Sequence, residues 1–172
     1  MDAINKRRSI RKFQDTYVKD ELIDQLIEAA KYAPSAWNEQ PWEFLVINDK
    51  KIMVEIIKIH QYSTMLMSAP YAILLCGNLH KLKIEGFWQQ DCSAATQNIL
   101  LKAVNLGLGS VWLGIYPDAH RVDGIGKLFD LPEHIMPFSL IALGYAYESN
   151  NIKRDLLASD VFLNKWGNRW KH

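Results

Sequence analysis

The 172-residue sequence predicts a mixed α/β architecture, a three-layer α+β fold around a small central sheet. Three observations point there. Helix-period and strand-period segments alternate along the chain. One segment, Tyr71-Ala72-Ile73-Leu74-Leu75-Cys76, is apolar on both alternating faces, as a strand covered on both sides must be. A composition of 49% hydrophobic and 23% charged residues suits a chain that buries a substantial core. No repeat, low-complexity stretch or Ser/Gly linker interrupts it, so residues 1–172 read as a single domain.

The elements follow in order. Leu22, Ile23, Leu26, Ile27 and Ala30 recur at helical spacing, which predicts a helix over 21–33 with Asp20 as its cap and Pro34 as its stop. Prolines bound the loop from Pro34 to Pro41, and Trp42–Ile47 reads as a strand. A short helix is expected over 50–60 and the central strand over Tyr71–Cys76. The segment 88–106 predicts a longer helix ended by Gly107, with an apolar surface too wide for one partner. Ser110–Ile115 and Phe138–Leu143 read as short strands either side of a helix over 119–129. Beyond Tyr147 no clean period remains, yet Val161, Phe162, Trp166 and Trp170 need a surface to cover, and a second subunit would supply one.

Charge and cysteine content narrow the function. Lys+Arg 20 against Asp+Glu 19 gives a formal net charge of +1, which supplies no overall field for nucleic acid or an anionic membrane. The basic residues are nevertheless concentrated in Lys6-Arg7-Arg8-Ser9-Ile10-Arg11-Lys12; without these five the chain holds 15 basic against 19 acidic residues, a net of −4. Cys76 and Cys92 read as buried free thiols. Charges interrupt the first twelve residues, leaving no secretory apolar core, and no apolar run reaches membrane-spanning length; the expected compartment is the cytoplasm.

Familiar catalytic signatures are missing. Gly107-Leu108-Gly109-Ser110-Val111-Trp112 has Trp where a dinucleotide fingerprint needs its third glycine, and it lies between a helix and a strand in the wrong order. There is no P-loop, no G-x-S-x-G elbow, and no metal-ligand spacing among the histidines and cysteines. Three segments remain. In an extended 7–11 stretch, Arg7, Ser9 and Arg11 share one side: two guanidiniums flanking a hydroxyl suit a phosphate or polyoxygenated ligand, a solvated basic turn or nucleic-acid patch being the alternatives. The loop Pro34-Ser35-Ala36-Trp37-Asn38-Glu39-Gln40-Pro41-Trp42 combines small residues, which admit a flat ligand, with amides that suit a ring edge; it also reads as a rigid connection. Gly114 ends a strand, either exposing backbone to a ligand or marking a turn.

Taken in register, these segments resemble the flavin-dependent nitroreductase family. The resemblance covers nearly the whole chain, from Arg7-Arg8-Ser9-Ile10-Arg11-Lys12-Phe13 through the Ala33–Trp42 loop and Gly107–Gly114 to Pro137–Tyr145 and Lys153-Arg154. It implies a three-layer α/β/α fold with a mostly antiparallel central sheet, and an intertwined homodimer with two FMN sites at its interface. By this resemblance Arg7, Arg8, Ser9 and Arg11 bind FMN, Arg7 and Ser9 towards the phosphate and Arg11 towards the N1/O2 edge. Pro34, Ser35, Ala36 and Asn38 of the other subunit line the ring. Leu113 and Gly114 face N5, and Lys153 and Arg154 close on the phosphate. A guanidinium near N1 would stabilise the negative charge of reduced flavin and raise its potential.

The implied activity is an NAD(P)H-dependent oxidoreductase that reduces nitroaromatics, quinones or similar electron-poor small molecules by ping-pong hydride transfer through N5. It requires no catalytic side chain, no metal, no nucleic acid and no membrane. The alternative is a flavin-binding protein without turnover, serving storage or redox sensing. Two departures from the family pattern stand out. Trp37 is bulkier than the small residue usual at its position, and Glu39 adds a charge beside it.

Overall fold

The computed structural model describes residues 3–148 and 159–170. A helical turn, α1 (Ala3–Lys6), opens the chain. It is followed by α2 (Asp20–Lys31), β1 (Trp42–Ile47), α3 (Lys50–Ile59), β2 (Tyr71–Asn78), α4 (Trp88–Asn105), β3 (Gly109–Gly114), α5 (Ala119–Leu128) and β4 (Ile135–Gly144). The four strands form one antiparallel sheet in the order β1-β2-β4-β3.

Strand alternation divides the interior in two. Ile73 and Leu75 of β2, with Ile141 and Leu143 of β4, pack on one face against Ile23 and Leu26 of α2 and Cys92 and Ile99 of α4. Ala72, Leu74, Leu140 and Ala142 point the other way, onto Met53 and Ile56 of α3 and Ile125 of α5. Both inner strands are therefore covered on both faces, which is the three-layer arrangement expected of the apolar run in β2. Each fully buried Leu or Ile there contributes roughly 1.5–3 kcal/mol. Cys76 and Cys92 are buried and unpaired, and burial pushes the Cys76 thiol up to about 12.

Most boundaries match the sequence reading, and the exceptions have physical causes. Asp20 does not cap α2: Lys19 holds the N-cap position without a side-chain bond, and the Asp20 carboxylate instead accepts the Tyr71 hydroxyl at 2.8 Å. Asp49 does cap its helix, accepting the Lys51 N–H at 2.7 Å. β4 starts at Ile135 rather than Phe138, because Pro137 sits where the β2–β4 register shifts and a missing N–H does no harm. Trp88, Cys92, Ala95, Ile99 and Ala103 form a buried stripe of α4, whereas Ala94, Leu101, Val104 and Leu106 along its flank are half-buried. Gly107, at φ 75°, ends that helix in the left-handed region.

Residues 159–170 make a small hairpin-like turn in which Phe162 and Arg169 bridge and the Phe162 and Trp166 rings lie 4.6 Å apart. Trp166 is 90% exposed, and Val161, Leu163 and Trp170 are also exposed. No helix among the described residues is long and apolar enough to cross a membrane.

Candidate functional site

β3 is an edge strand, and its register determines what that edge offers. Ile115 N–H donates to Phe138 C=O at 3.2 Å, so the odd-numbered residues of β3 bond to β4 and the even-numbered ones direct their amides and carbonyls off the sheet. At the start of this edge, Ile10 N–H donates to Ser110 C=O at 3.0 Å, and Ser9 bridges Ser110 in parallel. Gly109 makes the approach possible: a Cβ there would lie 2.9 Å from the Ile10 side chain. The basic segment is thereby fixed at one end of the β3 edge.

The other end is Gly114, exposed and bare. A Cβ on it would meet no atom within 4 Å, on the face that Ser139 opposite shares with α4. Trp112 and Gly114 present main-chain groups along a ledge of roughly 13 Å from Ser110 to Gly114. Leu113, between them, is buried on the opposite face against α5. A planar heterocycle with polar atoms on its rim and an anionic tail fits this arrangement, with main chain for the rim and guanidiniums for the tail.

Within the basic segment the four site residues differ. Arg8 folds back and donates to the carbonyls of Asn5 at 2.7 Å and Arg7 at 2.9 Å, closing the turn after α1. Arg7 N–H bonds Ala3 C=O at 2.8 Å, which continues that turn. Ser9 lies on the β3 edge, and Arg11, two residues past the bridge, is exposed.

The 34–40 loop is held by its own Ser35, Asn38 and Gln40 side chains and by Asp91, which the sequence had not identified. Ala36 N–H donates to the buried Asp91 carboxylate of α4 at 3.1 Å, and Gln40 N–H to Ser35 Oγ at 3.0 Å. Gln40 Nε2 donates to Asn38 Oδ1 at 3.0 Å. These bonds keep Trp37, Asn38 and Gln40 in the left-handed region, at φ 53°, 56° and 49°. That conformation costs roughly 1–2 kcal/mol for an ordinary side chain, less for Asn. The outcome is an indole 76% exposed beside Pro34, Ser35, Ala36 and Asn38. Glu39 is not a charge aimed at solvent: its Oε1 accepts the N–H groups of Lys83 at 2.7 Å and Ile84 at 3.1 Å. Its other oxygen and Asp91 Oδ2 are buried without partners, and burial together with the Glu39 charge holds the Asp91 pKa above its usual range. Structurally, the 34–38 loop is tied to α4 and the basic segment to β3. Lys153 and Arg154 lie outside the described residues.

Two further residues gather at Gly114. Arg121 Nη1, from the first turn of α5, donates to the Gly114 carbonyl at 2.9 Å. His60, only 3% exposed, lies near the same carbonyl with no well-formed bond to either ring nitrogen. Burial first, and the Arg121 charge second, keep its pKa low. No motif marks either residue; the one available signal was a cation one turn into a helix that begins just after a strand-ending glycine.

An antiparallel three-layer fold, a basic segment laid on a sheet edge and a bare glycine at the end of that edge define a scaffold suited to a planar ligand with an anionic tail. The chain belongs to the nitroreductase family, whose model matches residues 4–74 and 60–145. A relative from Methanothermobacter thermautotrophicus, assigned as an NADH dehydrogenase/NAD(P)H nitroreductase, is 50% identical over 167 residues, covering 96% of this chain and 87% of its own. The crystal structure of a protein from Clostridium acetobutylicum assigned as an NADH oxidase superposes with a TM-score of 0.88 at 43% identity, covering 91% of this chain and 95% of that one. A nitroreductase from Desulfovibrio desulfuricans, crystallised with FMN, gives 0.78 at 32% identity and 90% of each chain.

Proposed function

We propose that this protein binds FMN along the β3 ledge and uses NADH or NADPH to reduce electron-poor small molecules, nitroaromatics and quinones among them. The observation that carries the reading is the ledge itself: main-chain groups of Trp112 and Gly114 face outward, with the arginine segment hydrogen-bonded at one end. The FMN-bound relative and the NAD(P)H assignments of others support the same cofactor pair. When bound, FMN supplies hydride acceptance and donation at N5.

The chain's own residues bind and orient. Arg7 and Ser9 hold the phosphate, with Arg8, Lys153 and Arg154 adding positive charge around it, and Arg11 faces the N1/O2 edge, where it favours the reduced state. Outward backbone at Gly114 aligns the N5 side; Leu113, expected to share that role, instead bonds to β4 and anchors the strand beside it. Pro34, Ser35, Ala36 and Asn38 line the ring from a second copy of the chain, so the site is completed in a homodimer, and the exposed apolar side chains of the 159–170 turn are available to cover that neighbour. Donor and acceptor occupy one face in turn, which gives ping-pong kinetics. The compartment consistent with this donor is the cytoplasm, and we read the chain as one domain.

The test is the visible spectrum of the purified protein, followed anaerobically as NADH or NADPH is added. Flavin absorbance that bleaches and then returns with a quinone or nitroarene is the expected result. A yellow protein that never bleaches would mean flavin binding without this turnover, and a colourless protein that refuses added FMN would overturn the site. Intersecting rather than parallel double-reciprocal plots would overturn the alternating use of one face.

A further inference from the structure

We propose that Arg121 is a positioning residue for the flavin: by gripping the Gly114 carbonyl it fixes the peptide at the N5 end of the β3 ledge and places a cation there. The inference rests on the FMN reading above.

Gly114 is a weak place to build a precise contact. It is the last residue of an edge strand, it is exposed, and without a side chain it has the greatest conformational freedom to lose. Its carbonyl points away from β4, so the sheet does not hold it. Arg121 does, through Nη1 at 2.9 Å.

The guanidinium is itself fixed. Its Nε pairs with Asp118 Oδ2 at 3.3 Å, and Asp118 Oδ1 accepts the Arg121 N–H at 3.1 Å as the cap of α5. The Tyr62 ring lies 5.8 Å from the guanidinium carbon. Buried His60 lies near the same carbonyl on the inner side. Three elements thus converge on one peptide: the 60–62 turn, the start of α5 and the end of β3. A planar five-donor head can bond a carbonyl and a carboxylate at once, which an ammonium does less well.

Two roles are separable by experiment. If Arg121 only ties α5 to β3, its removal lowers stability and leaves the flavin unaffected. If it positions the flavin, its removal changes affinity and potential. Arg121→Met and Arg121→Lys, purified without flavin, are compared with wild type by thermal unfolding, by FMN fluorescence quenching, and by dye-equilibrated reduction of the loaded protein.

Expected for Arg121→Met is FMN affinity about tenfold weaker, with the oxidised form gaining over the reduced form by about tenfold, a shift of about 30 mV downward for a two-electron couple. Arg121→Lys should recover part of both. Wild-type affinity and potential in Arg121→Met, whatever its melting temperature, would overturn the proposal while leaving the FMN site intact. Should Arg121→Met not fold, Arg121→Lys with unchanged potential and affinity overturns it equally. Failure of wild type itself to take up FMN is the distinct result that removes the underlying reading, and this inference with it.

Discussion

Removing the Asp91 carboxylate tests how the 34–40 loop is held. Asp91→Ala leaves the Ala36 N–H, now bonded at 3.1 Å, without an acceptor in a partly buried place. An unsatisfied buried donor costs roughly 1–3 kcal/mol, and in a domain of this size about 1 kcal/mol moves the melting point by roughly 2–4 °C. Asp91→Asn should behave differently. It keeps one oxygen for Ala36, and its new amide can donate to the neighbouring Glu39, whose Oε2 is buried without a partner. At neutral pH this variant is expected to match or exceed wild type.

The pH dependence sharpens that contrast. The folded-state pKa of Asp91 is raised by burial and by Glu39, against the opposing Ala36 N–H. The folded protein therefore binds the proton more tightly than the unfolded chain, and the stability this provides is complete below the unfolded pKa of about 4 and is lost as pH rises through the folded value. Asp91→Asn has no such loss, so its advantage over wild type should be near zero at pH 4 and grow towards pH 7. Thermal unfolding across this range, with FMN titration at each pH, measures it. Equal destabilisation by Ala and Asn, or an advantage that shrinks as pH rises, would refute the reasoning.

Other outcomes follow from the same geometry. Trp37→Asn relieves a left-handed φ of 53° at little loss of burial, so it should raise stability by up to about 1 kcal/mol while raising KM for aromatic acceptors, read by calorimetry and steady-state kinetics. Gly109→Val puts a branched side chain where even a Cβ lies 2.9 Å from Ile10, lifting the basic segment off β3; FMN affinity should fall at least tenfold by fluorescence titration. His60 is held neutral in the folded state, so its contribution is present above the unfolded pKa of about 6.5 and is lost as pH falls towards the lowered folded value. Replacing it with Phe should flatten the stability profile between pH 5 and 7, measured by urea unfolding.

What the sequence revealed and what it concealed divide along physical lines. The run Tyr71–Cys76 was legible because burial on both faces leaves a local signature, and α4 because its apolar positions recur every three or four residues. Asp20 looked like a cap because capping is a local rule, but a partner 51 residues away, Tyr71, takes its carboxylate. The arginine segment and Gly114 stood out by composition and by the family resemblance. That they share one strand edge became visible only with the β3–β4 register. Asp91 carried no signal, and Arg121 only its place one turn into a helix after a strand-ending glycine, since each acts on a backbone group outside its own element. Glu39 was legible only as an added charge beside Trp37; that it accepts the backbone N–H groups of Lys83 and Ile84 needed the fold.

The β3 ledge also bears on how this protein fails. An edge strand with unpaired main-chain groups is a template on which another chain can add a strand and begin to aggregate. Among the described residues, 9–10 cover the Ser110 end and Arg121 occupies the Gly114 carbonyl, which leaves the stretch from Trp112 to the Gly114 N–H open. Whatever lies along that stretch also shields it. Cells short of the ligand would then lose more than an activity: the empty protein would expose its stickiest backbone, and its lifetime in solution would depend on ligand supply as well as on the stability of its core.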